Sequence, residues 1–213
     1  MSASDPAWPA PGWTAVRAGN TYDKYGTSNP VARRLVAGFL RTVDTMLLAA
    51  RPCHLIDVGC GEGIVTARMA VREGVSHALG IDRESERLAA HWAHRRCAGL
   101  DFVVADAHAL PFDDGTWDVA CSLEMLQQVH DPRAALWELA RVARRHVLVS
   151  VPREPIWRVL NVARGAYLRE WGTPPGSAHF FSSRAFIELC RTAGEPVAVA
   201  TPFPWTMVLL RVG

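Results

Sequence analysis

The chain has 213 residues, 49% of them hydrophobic, with 23 Lys and Arg against 21 Asp and Glu and a formal net charge of +2. That length supports one well-cored domain and would cramp two. The balanced charge, with Arg-Arg pairs scattered at 33–34, 95–96 and 144–145, argues against a basic stripe for nucleic acid, and no apolar run reaches membrane-spanning length. Neither partner is expected. The five cysteines (Cys53, Cys60, Cys97, Cys121, Cys190) include no C-x-x-C pair. They predict reduced, mostly buried thiols in a cytoplasmic protein, and no disulfide or zinc framework.

Residues 1–20 are rich in Pro, Ala, Gly and Ser around Trp8 and Trp13 and predict a mobile leader, part of which can pack over a groove. A single domain over 21–213 follows. Asn29 can cap a helix that Pro30 opens, and Leu35, Val36, Phe39, Leu40, Val43, Met46 and Leu47 recur at helical spacing to about 49. From residue 54 strands and helices alternate. Strands are predicted at 54–58, 77–81, 101–105, 117–121 and 146–151, with helices at 63–73, 84–96 and 132–144. Such β-α repeats imply a parallel sheet that binds its ligand at the carboxyl ends of the strands.

Those ends carry the chemistry. Leu55-Ile-Asp57-Val-Gly59-Cys60-Gly61-Glu62-Gly63 is an apolar run into three alternating glycines. Lacking Cβ atoms, the loop can turn sharply and bring backbone N–H groups to a ligand at the positive end of a helix. A dinucleotide fingerprint needs a small residue where Ile64 stands, which argues against a nicotinamide oxidoreductase. Asp82 ends the second strand about 20 residues on, where a carboxylate can receive both hydroxyls of a ribose; it can also cap the next helix. The series His91, His94, Cys97 is placed on one helix, where histidines are ordinarily solvated, so no metal is expected.

The D-x-G-x-G-x-G wording at 57–63 resembles the first motif of class I S-adenosylmethionine (SAM) methyltransferases. Asp106-Ala-His-Ala-Leu-Pro-Phe-Asp-Asp-Gly-Thr-Trp-Asp-Val119 resembles a segment of their UbiE-like, type 11 branch. The likeness is close over about 52–151 and looser in the flanks. It implies an α/β, Rossmann-like fold with a mostly parallel seven-stranded sheet, helices on both faces and an antiparallel last strand. It further implies SAM as cofactor, held by Asp57, Gly59, Cys60, Gly61, Gly63, Asp82, Arg83, Asp106, Ala107 and Ser122, with Asp106 and the Ala107 N–H at the adenine. The N-terminal helix over 21–50 is then a lid from which Tyr25 reaches the cofactor.

After the fourth strand the chain departs from the family wording. Gln127 and Gln128 stand where Glu and His are usual, so they are expected to orient substrate by hydrogen bonds, while His130 is free to act as a base. Residues 152–181 break the alternation with a helix of roughly 15 residues and a Pro/Gly loop, a substrate-side insert offering Trp157, Tyr167, Trp171 and Phe180. His179 precedes a helix that Ser182 caps and Gly194 ends, and it is the other candidate base. Strands at 196–200 and 205–212 close the chain. The expected activity is methylation of a small apolar or aromatic molecule, on oxygen, by a monomer or homodimer. Carbon or nitrogen methylation and a non-catalytic SAM-binding module are the alternatives.

Overall fold

A computed structural model describes residues 25–83, 86–163, 165–174 and 176–213; the expected leader and the start of the expected lid lie outside them. The strands are β1 (His54–Val58), β2 (His77–Asp82), β3 (Leu100–Val104), β4 (Trp117–Leu123), β5 (Ala143–Pro152), β6 (Glu195–Ala200) and β7 (Trp205–Arg211). They form one seven-stranded sheet in the order β3-β2-β1-β4-β5-β7-β6. β1 pairs in parallel with both β2 and β4, and β7 runs antiparallel to both its neighbours, β5 and β6. Strand order therefore reverses between β1 and β4, which opens a crevice at the carboxyl ends there.

The helices are α1 (Pro30–Ala50), α2 (Ile64–Ala70), α3 (Glu86–Arg95), α4 (Pro132–Val142), α5 (Ile156–Ala163) and α6 (Ser183–Arg191). Successive side chains of a strand point to opposite faces. Leu55, Phe102 and Leu148 thus meet Phe39, Val43, Met69 and Trp92 of α1, α2 and α3 on one face. Ile56, Val147 and Val149 meet Leu136 and Leu139 of α4 and Phe186 of α6 on the other. Covering both faces is why the central strands read as continuous apolar runs. Asn29 caps α1 by accepting from the Val31 and Ala32 N–H groups at 2.9 and 3.1 Å. Asp44 on α1 then binds Arg68 and Arg72 at 2.5 and 2.8 Å, tying the two helical segments together.

The differences from expectation are local. The inserted helix is α5, only eight residues. It stops because positive φ angles at Gly165, Tyr167, Trp171 and Gly172 turn the chain repeatedly into the left-handed region around a short 3-10 turn, Leu168–Glu170. Gly194 does not end α6 by a left-handed turn; Thr192 caps it in right-handed geometry. Gly194 is needed for close approach, since a Cβ there would lie 2.6 Å from the Arg211 carbonyl oxygen. Cys97 lies beyond α3, so the His91, His94, Cys97 series is not one helix face. The cysteines are free, but only Cys121 and Cys190 are buried. No helix among the described residues is long and apolar enough to cross a membrane.

Candidate active site

Gly59, Gly61 and Gly63 all have positive φ (80°, 54° and 76°), which lets the chain leave β1 and enter α2 within a few residues. The Gly59 and Cys60 N–H groups bind the Ile81 carbonyl at 2.8 and 2.9 Å, anchoring the loop to the end of β2. Below it, Phe102 occupies space that only glycine leaves: a Cβ on Gly63 or Gly80 would come within 2.4 Å of its ring. Phe102 stacks on Trp92 at 5.5 Å, and the Trp92 indole N–H donates to the Gly61 carbonyl at 2.8 Å. The loop is held from beneath by two aromatic rings. A Cβ on Gly61 would meet no protein atom within 4 Å, so this backbone faces open space.

That space is a cavity of about 1210 Å³ along the carboxyl edge. Asp82 borders it at the end of β2, where its carboxylate accepts from the Gly61 N–H and the Arg83 N–H, both at 2.7 Å. Asp57 is buried beneath the loop and accepts from the Thr66 hydroxyl at 2.6 Å. Burial pushes its carboxyl up to about 7, with the Thr66 bond opposing and the Asp82 charge adding to the rise. Burial, together with Asp57 and Glu62, also drives the Tyr25 phenol far upward, so it stays protonated. Asp106 follows β3; hydrogen bonds from the His108 backbone and side chain (2.9 and 2.8 Å) lower its pKa. Acids at Asp57, Glu62, Asp82 and Asp106 around an open glycine loop suit a ligand with a sulfonium and an ammonium.

The Asp57 shift carries a sign for stability. Between about pH 4 and pH 7 the folded protein holds a proton that the unfolded chain has released, so its contribution is full below the unfolded value and is lost as pH rises through about 7. The apo protein is expected to melt at a higher temperature at pH 6 than at pH 8, and Asp57→Asn should flatten that difference. Equal slopes for both proteins in thermal melts would show that Asp57 is not the titrating group.

The other half of the cavity lies beyond β4 and β5. Glu124 and Glu154 follow those strands. Trp157, Leu160 and Asn161 of α5, Tyr167, His179, Phe180 and Trp205 complete this side, while Tyr25, Asn29 and the first two turns of α1 border the opening. The Gln127 carbonyl accepts the Ala178 and His179 N–H groups at 2.9 and 3.0 Å, fastening the end of the insert to the loop after β4. His179 Nε2 faces the His130 carbonyl at 3.3 Å, and the His130 ring packs on that of His108 at 3.9 Å between centroids.

Of the residues expected at the site, Tyr25, Asp57, Gly59, Cys60, Gly61, Asp82, Arg83, Asp106, Ala107, Gln127, Gln128, His130, Trp157, Tyr167, His179 and Phe180 border this one cavity. Three do not. Ser122 is fully buried because β4 is covered on both faces. Trp171 is 82% exposed at the left-handed end of the 3-10 turn. Gly63 is buried and serves by making room for Phe102. Sequence reasoning missed Glu124, Glu154 and Trp205. The signal for the acids was their place directly after the fourth and fifth strands; nothing local marked Trp205. It also missed His108, which the spacing Asp106-x-His108 could have suggested.

A seven-stranded sheet of this order with β7 antiparallel, flanked by helices, is the Rossmann-like architecture of the class I SAM-dependent methyltransferases. Residues 56–151, just under half of the chain, match the family described as Methyltransferase domain (Methyltransf_11). Among curated relatives, the O-methyltransferase cnsE of Penicillium expansum is 34% identical over 124 residues, 57% of this chain and 44% of that protein. The ubiquinone biosynthesis O-methyltransferase of Aeromonas salmonicida is 31% identical over 145 residues, 65% of this chain and 59% of that protein. The chain thus spans about half the length of these relatives. Among solved structures, magnesium protoporphyrin IX methyltransferase from Synechocystis PCC 6803, with bound SAH, superposes with a TM-score of 0.64 at 18% identity, over 88% of this chain and 90% of that one.

Proposed function

We propose that the chain transfers the methyl group of SAM to an oxygen of a small apolar or aromatic metabolite. The observation that carries this reading is the single cavity in which the glycine loop and its acids meet an aromatic-walled space beyond β4 and β5. The names of the O-methyltransferase relatives support the choice of oxygen.

SAM, when bound, supplies an already activated methyl carbon on sulfur, so alignment dominates and acid–base work is limited to deprotonating the acceptor. The Gly59–Gly61 backbone and Asp57 would hold the amino-acid end of the donor, Asp82 the ribose and Asp106 the adenine. Trp157, Tyr167 and Phe180 supply apolar walls that exclude water from the acceptor. His179 receives the acceptor proton. Its Nε2 faces a carbonyl, which can only accept, so the proton sits on Nε2 and the lone pair on Nδ1. His130, in the same cavity, is the second proton-accepting group.

Incubating the protein with methyl-labelled SAM and a panel of phenols tests the reading. Label is expected in an organic-extractable product. SAM binding without transfer to any phenol or to a small-molecule extract would leave a SAM-binding module and sink the enzymatic reading. Asp82→Ala should weaken SAH binding by about 10- to 100-fold, the worth of a hydrogen bond to a charged group plus its support of Gly61. Calorimetry showing affinity within twofold of the parent would remove Asp82 from the site.

A further inference from the structure

Asp106 differs from Asp57 and Asp82 in how it is held. Asp57 is buried and Asp82 is bound by two backbone N–H groups, whereas the Asp106 side chain is 67% exposed, a setting in which a carboxylate can sample several rotamers. The chain turns directly after it, with the Ala109 N–H on the Asp106 carbonyl at 3.1 Å, and the turn brings the His108 ring back onto the acid. The His108 backbone N–H and ring Nδ1 lie 2.9 and 2.8 Å from the same oxygen, Oδ1. One oxygen is pinned twice. Among the described residues Oδ2 has no hydrogen-bond partner, and Asp106 and Ala107 both border the cavity.

His108 is itself fixed. Its side chain is 15% exposed, and its ring packs on that of His130 at 3.9 Å between centroids with the planes 33° apart. An ionised carboxylate only accepts, so Nδ1 carries the proton that it shares with Asp106. Nε2 is buried with no hydrogen-bond partner among the described residues. The ring therefore offers one donor, at Nδ1, and a packing face. These are separable by substitution, because nothing is bonded to its far edge.

We propose that His108 is a positioning residue for the methyl donor: by pinning Oδ1 it holds Asp106 with Oδ2 free to accept from the 6-amino group of adenine, and so sets the preference for that base. The inference rests on the reading of Asp106 as the adenine contact given above. A 6-amino group donates and suits a carboxylate, while a 6-oxo group in its place sets one acceptor against another. A freely rotating carboxylate gives up its other rotamers when the base binds. The pinned one has already given them up, which is the gain from preorganisation.

The test is calorimetric titration with SAH and with S-inosylhomocysteine, which carries a carbonyl where SAH has the 6-amino group. The parent protein is expected to prefer SAH by about 10- to 100-fold, the worth of a hydrogen bond to a charged group. His108→Phe keeps a ring on His130 and removes the donor. It should weaken SAH by about three- to tenfold and leave S-inosylhomocysteine within about twofold, so that the preference shrinks. His108→Asn, whose Nδ2 stands where Nδ1 stood, should restore the parent's preference. If His108→Phe does not fold, His108→Ala takes its place against His108→Asn. A donorless variant that keeps the parent's preference, or that weakens both ligands by the same factor, overturns the proposal, as does a His108→Asn protein that behaves like it. Asp106→Ala separates this from the underlying reading. Loss of the preference there with none in His108→Phe overturns the proposal alone, whereas an unchanged preference in Asp106→Ala, or no binding of SAH to the parent, overturns the adenine reading and the proposal with it.

Discussion

His179→Ala is expected to lower the rate of methyl transfer to a phenolic acceptor by about 10²- to 10⁴-fold, the usual contribution of a positioned general base, while SAH affinity stays within twofold. The separation follows from position. His179 reaches the cavity from the end of the insert, held by its own N–H on the Gln127 carbonyl and by Nε2 on the His130 carbonyl, whereas the donor's expected contacts come from the ends of β1, β2 and β3. A base also predicts that the loss in His179→Ala shrinks once the pH is high enough to ionise the phenolic acceptor itself. Single-turnover rates against pH would show this. An unchanged rate in His179→Ala moves the role to His130, whose alanine variant would then carry the defect.

Gly63→Ala carries the other large expected effect, on folding. The backbone there has φ 76°, and the added Cβ would lie 2.4 and 2.6 Å from Cε1 and Cζ of Phe102. Left-handed strain of roughly 1–2 kcal/mol and overpacking of roughly 1–3 kcal/mol together predict a loss of about 2–5 kcal/mol. At about 2–4 °C per kcal/mol for a chain of this size, the midpoint should fall by on the order of 10 °C. Gly61→Ala is the contrasting variant: φ is also positive, but its Cβ would meet nothing. It should cost only the strain in stability and instead obstruct SAH. Urea denaturation and calorimetry on the pair separate the two roles, and a Gly63→Ala protein that melts within a degree or two of the parent would show that Phe102 yields.

The cavity's border at the ends of β1, β2 and β3 was legible because its determinants are local. The glycine loop, Asp82 and Asp106 each lie at or just after the end of a strand, in consecutive β-α units, and parallel pairing of β1 with β2 and of β2 with β3 puts those ends side by side. Strand limits were legible to within a few residues for the same reason: apolar runs bounded by polar turns. The insert was less so. Its apolar spacing over 156–168 continues a helical pattern, but the left-handed residues at Tyr167 and Trp171 are set by packing. The Asn161 side chain on the Gly172 carbonyl at 2.7 Å folds the segment back on α5. Trp171 therefore turns outward, unlike Trp157, Tyr167 and Phe180, the other aromatics expected on the substrate side.

By itself, then, the sequence determined the succession of β-α units and the residues at the carboxyl ends of β1, β2 and β3, because those depend on contiguous motifs whose spacing equals the length of one structural unit. Only the tertiary structure decided what lines the cavity beyond β4 and β5. Glu124 meets Trp205 across 81 positions of sequence, and Gln127 meets His179 through backbone hydrogen bonds from a different segment. Glu154 joins them because β5 lies beside β4. No periodicity within any one segment records these meetings; they arise from the order in which the strands lie side by side.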